Sequence, residues 1–145
     1  MTGEMYLSTL RNGANFHKTN SVTEVTTSLS QLVDGTEMFY SHNKITKFEQ
    51  DLPNLINGSK MFFGAYFHDF SINLNNLQNG NQMFYGTDLT SFNSELPNLQ
   101  IGSQMFQNSE LLNFSKDLPS LKNRTSYVLW VQKSSGTPRM FTVSS

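Results

Sequence analysis

The chain has 145 residues and a formal charge of −1 at neutral pH, and only 14% of its residues are charged. That balance gives no electrostatic footprint for nucleic acid, which asks for a clustered basic surface. Cysteine is absent, so a disulfide framework and a thiolate metal site are both excluded, and no apolar run approaches the roughly 18 residues of a membrane span.

The amino terminus, Met-Thr-Gly-Glu-Met-Tyr-Leu-Ser, has no basic segment followed by an apolar run and does not read as a secretion signal. Residues 1–12 are expected to form an N-terminal cap, with Met5, Tyr6, Leu7 and Leu10 covering the first repeat. A phrase then recurs five times: Gly-x-x-Met-Phe, Leu-x-x-Phe, Leu-Pro-x-Leu. Its last leucines are Leu32, Leu55, Leu77, Leu99 and Leu121, spaced by 23, 22, 22 and 22 residues. The phenylalanine of the first element falls at Phe16, Phe39, Phe62, Phe84 and Phe106, preceded by methionine in every copy except the first, where Asn15 stands. An apolar pair follows: Val22 and Val25, Ile45 and Phe48, Phe67 and Phe70, Leu89 and Phe92, Leu111 and Phe114.

A period of this length with fixed apolar columns predicts a solenoid, in which each repeat buries its apolar face only against its neighbours. Segments such as Ile45-Thr-Lys-Phe48 are short, β-prone and bounded by turn formers, so each predicts one strand of a parallel stack. Proline after the leucine (Pro53, Pro97, Pro119) ends that strand for want of a backbone N–H. Asn57-Gly58 and Asn79-Gly80 mark bends where positive φ is easily reached. Gly-x-x-Met-Phe is expected to make a helical or 3-10 turn on the opposite face.

These readings predict one mainly β domain with a leucine-rich-repeat-like solenoid over residues 13–128. Beyond it, Tyr127 to Val131 and Met140 to Val143 are β-prone runs, and a C-terminal hairpin over 129–145 is expected as a cap or a docking element.

The phrase resembles the leucine-rich repeats of the bacterial surface antigen (BspA-like) type, which also occur in phage structural proteins. That family has an apolar pair before Leu-Pro and Ala-Phe where this chain has Met-Phe. The cysteine common after its aromatic is replaced here by Ser41, Gly64, Gly86 and Asn108. The resemblance covers roughly residues 10 to 128 and implies an architecture, with almost nothing about activity.

Candidate site residues are few. The residue after Met-Phe runs His17, Tyr40, Phe63, Tyr85, Gln107, so three aromatics are expected to form a ladder that is partly exposed. Tyr40, Phe63 and Tyr85, with Tyr127, Trp130 and Phe141 of the terminal segment, are the candidate partner-binding residues. The outward strand positions, among them Glu24, Lys47, Asp69, Ser91 and Asn113, carry no aromatic anchor for a tight protein interface. His17, His42 and His68 occupy different columns and do not predict a metal site. Asp51, Glu95 and Asp117 share a column that could in principle serve calcium binding or sugar cleavage, but Asn73 separates Asp51 from Glu95, and turn capping before Leu-Pro is the expected role.

No cofactor is expected. The reading is a non-enzymatic structural or protein-interaction module, foremost a virion-associated one such as a phage decoration or tail-associated protein with capsid or tail proteins as partners. The alternative is a receptor- or glycan-binding adhesin-type module of a bacterial surface protein.

Overall fold

The structure, a computed structural model, describes residues 8–15, 23–41, 45–122, 128–131 and 138–141. Six strands lie in these residues: β1 (Glu24–Val25), β2 (Lys47–Phe48), β3 (Asp69–Phe70), β4 (Ser91–Phe92), β5 (Val128–Val131) and β6 (Pro138–Phe141). β1 pairs parallel with β2, and β3 with β4, setting Val25 opposite Phe48 and Phe70 opposite Phe92. β5 and β6 pair antiparallel, with Val128 opposite Phe141.

This corrects the expected architecture, a leucine-rich-repeat-like solenoid of about five repeats with one strand each, helical or 3-10 turns opposite, and a hairpin cap. Among the described residues there is no helix and no 3-10 turn. The repeat strands are only two residues long and fall into two separate two-stranded sheets, and the copy holding Leu111 and Phe114 contributes no strand.

The physical reason lies in where the backbone amides go. From Gly58 to Ala65 they alternate between two destinations. Gly58, Lys60, Phe62 and Gly64 donate to the carbonyls of Asn79, Asn81, Met83 and Tyr85 in the following copy. Ser59 donates to the Asn57 side chain, and Met61, Phe63 and Ala65 donate three residues back, to Gly58, Lys60 and Phe62. A helical turn would direct every amide to its own segment. Here half of them serve the neighbour, so the segment is a chain of linked β-turns with no buried amide left over.

Two of those turns need a residue with φ > 0 at their third position, as in a type II turn. One column is Asn15, Glu37, Lys60, Gln82 and Gln104, with φ between 52° and 61°. The other is Ser41, Gly64, Gly86 and Asn108, which accounts for glycine and asparagine after the aromatic. Asn15 also donates to Thr36 as Glu37 donates to Ser59, so Asn15 belongs with Glu37 and not, as the sequence alignment has it, with Met38.

Gly13, Gly35, Gly58 and Gly80 serve a different purpose from the one expected at Asn-Gly, since none has positive φ. A Cβ on Gly35 would lie 2.6 Å from Met61 Sδ, one on Gly58 2.9 Å from Met83 Sδ, and one on Gly80 3.1 Å from Met105 Sδ. Each glycine is the seat for the next copy's methionine, whose unbranched thioether fills the narrow space over bare backbone. The Leu-Pro-x-Leu phrase is itself a turn, closed by Leu55 N–H to Leu52 O and Leu99 N–H to Leu96 O. Its proline takes the second turn position, for which its fixed φ is suited.

Side chains run continuously where the strands do not. Phe39, Phe62, Phe84 and Phe106 stack with centroids 5.6–5.7 Å apart, and Phe48, Phe70, Phe92 and Phe114 stack at 5.8–6.1 Å. The two columns meet edge to face, as at Phe70 and Phe84, 4.7 Å apart. The Phe48–Phe70 contact crosses the gap between β2 and β3, which lie in different sheets.

Phe84 is completely buried and touches both columns, so Phe84→Ala is expected to lower unfolding free energy by about 3–5 kcal/mol in a denaturant titration. A midpoint within error of the parent would place the core elsewhere. The two kinds of glycine separate by double-mutant cycle. Gly58→Ala is expected to couple to Met83→Ala by at least about 0.5 kcal/mol, whereas Gly86→Ala loses about 1 kcal/mol through its backbone alone, with no coupling to Met83.

Candidate functional site

The turns that seat Met-Phe in the core place the next side chain at the surface. Tyr40, Phe63 and Tyr85 are each half-buried, and their rings stack nearly parallel, 4.6 and 4.7 Å between centroids. Each ring therefore covers the face of the next and leaves an edge outward. Gln107 ends the described column, with its Oε1 buried and unpaired. Tyr127 lies outside the described residues. Trp130 and Phe141 lie on β5 and β6, with Trp130 opposite Arg139 and Phe141 opposite Val128.

Ion pairs lie along the stack in both its early and its late copies. Lys47 Nζ lies 3.6 Å from Glu24 and 3.4 Å from Glu49. A hydrogen bond to Glu49, then the charges of Glu49 and Glu24, raise the Lys47 pKa above its ordinary value. A raised lysine pKa favours the fold at all pH below the unfolded value and loses that effect only as pH climbs through the folded one, so it has no bearing near neutrality. Lys116 and Glu95 pair at 2.6 Å.

The interrupted acidic column is divided between backbone bonds at Asp51 and Asn73 and the ion pair of Glu95 with Lys116. Asp51 Oδ1 accepts the Asn73 N–H, and Asn73 Oδ1 accepts the Asn75 N–H. Among the described residues no group of three His, Asp or Glu side chains is placed to hold a metal ion. His17 and His42 lie outside the described residues, and His68 Nδ1 lies 3.2 Å from the Asp88 carbonyl oxygen.

Two amide ladders went unread in the sequence. Asn12, Asp34, Asn57 and Asn79 bridge one another, and each side-chain oxygen accepts the N–H two residues on. In the Leu-Pro-x-Leu turn, Asn54, Asn76 and Asn98 donate their carboxamide N–H to the Ser30, Pro53 and Asn75 carbonyls at 2.6–2.7 Å. The recurrence of asparagine just before the last leucine, at Asn54, Asn76 and Asn98, was the available signal. Beside this second ladder runs a shallow groove of about 270 Å³, with Val33 and Ile56 among its lining residues.

No family model, no curated protein and no solved structure matches the chain. Among the described residues no helix is long and apolar enough to cross a membrane.

Asn76 has a test of its own. Asn76→Ala removes the 2.7 Å bond to the Pro53 carbonyl and is expected to cost about 1 kcal/mol of stability. Thermal unfolding with Asn93→Ala as an exposed control would check it.

Proposed function

We propose that this chain is a non-enzymatic structural and protein-interaction module, and specifically a virion-associated component, such as a phage decoration or tail-associated protein, that docks on capsid or tail proteins. The observation that carries the reading is the Tyr40–Phe63–Tyr85 ladder, three half-exposed rings held in line by the same backbone ladder that builds the core. Tyrosine and phenylalanine give apolar contact area at small cost in side-chain freedom, and their stacked packing removes most of that freedom before binding. Only 14% of the residues are charged, which suits a protein held in a close-packed assembly. The likeness of the Met-Phe and Leu-Pro phrases to repeats found in phage structural proteins supports the virion setting.

The test is recovery of the native protein under gentle conditions, followed by native mass measurement of what comes with it. Co-recovery with capsid or tail proteins is the expected outcome, and Tyr40→Glu combined with Tyr85→Glu is expected to abolish it in a variant that still unfolds cooperatively, at a lower melting temperature because two stacked contacts are lost. Recovery as a free monomer overturns the virion reading, and unchanged assembly in the double variant overturns the ladder as the docking surface.

A further inference from the structure

The groove beside the second amide ladder shares no lining residue with the aromatic ladder. It is built across four successive levels of the stack by Arg11, then Gln31 and Val33, then Asn54 and Ile56, then Asn76 and Gln78, with the aliphatic side chains of Val33 and Ile56 at its middle. Ile56 is 40% exposed, one of the few large apolar side chains among the described residues so open to solvent. Asn54 and Asn76 spend one carboxamide N–H on the preceding copy, at 2.7 Å to Ser30 O and 2.7 Å to Pro53 O. That bond fixes each amide plane, so both Oδ1 atoms are acceptors held in a row at the repeat spacing. Gln31 and Gln78 make no side-chain hydrogen bond among the described residues, so each can donate and accept.

The chemistry of the lining selects the ligand class. No carboxylate lines the groove, so it has nothing for a divalent cation, and a lone guanidinium is too little for a polyanion. Aligned carboxamides beside an aliphatic strip match a molecule whose hydroxyls both donate and accept and whose C–H face is apolar. We propose that the groove binds a neutral oligosaccharide, lying along the stack with its hydroxyls on the Asn and Gln amides and a C–H face over Val33 and Ile56. The fixed asparagines set its orientation, and the two glutamines close on it from opposite ends. This site is distinct from the aromatic ladder and does not depend on the virion reading.

The experiment is a printed array of defined neutral, sialylated and sulfated oligosaccharides, probed with the full chain and with the Gln31→Ala/Gln78→Ala variant. Both glutamines are exposed and outside the core, so the variant is expected to melt with the parent. Binding to neutral chains is expected, falling at least tenfold in the variant, with Ile56→Glu showing a similar loss. No signal on any neutral chain, a signal confined to sulfated or sialylated chains, or neutral binding unchanged in the double glutamine variant would each overturn the proposal. Tyr40→Glu/Tyr85→Glu is expected to leave array binding intact, which separates this site from the ladder.

Discussion

The rest of the molecule depends on how the backbone amides of each Gly-x-x-Met-Phe segment are divided. In the copies opening at Gly35, Gly58 and Gly80, alternate N–H groups reach the next copy, and those between them close turns within their own. Such a division satisfies a buried polar backbone without either a helix or an extended strand. It also demands φ > 0 at two places per copy, and the chain meets that demand unevenly. Gly64 and Gly86 carry it without strain, while Glu37, Lys60, Gln82 and Gln104 each accept a left-handed backbone costing about 1 kcal/mol, offset by the bonds it permits.

Once the backbone repeats in register, side chains must stack on their own kind, and most of the repeat's composition follows. Phenylalanines form two columns that interlock edge to face, methionines lie on bare glycines, and asparagines bond to the carbonyls of neighbouring copies. These columns are more continuous than the strands: the phenylalanine stack passes without a break from Phe48 to Phe70, where the two sheets part. Cohesion along the stack thus rests on aromatic and amide columns, with the two-residue strands as a local consequence of packing.

The same repetition makes surfaces as well as a core. An aromatic placed once after Met-Phe would be a lone exposed ring. Placed at Tyr40, Phe63 and Tyr85 it becomes a stripe with fixed geometry. An asparagine placed once after Leu-Pro would be a turn residue, but Asn54 and Asn76 together form a row of oriented acceptors along a groove. Neither surface needs a loop or a lid, since each inherits its order from the backbone ladder beneath it.

The sequence by itself determined the period, the phenylalanine and leucine columns, and the aromatic ladder, because these are apolar positions recurring at constant spacing and burial follows directly from such a pattern. Phe62, Phe84 and Leu77 lie in the core where the alignment puts them, and the single-residue offset at Asn15 escaped it because side chains alone do not record φ. What only the tertiary structure decided is the path between the columns. Apolar spacing is the same for a helical turn and for linked β-turns, and the choice between them rests on amide partners some 22 residues away. The seats under the methionines and the groove along Asn54 and Asn76 have the same origin, for both exist only where one copy lies against the next.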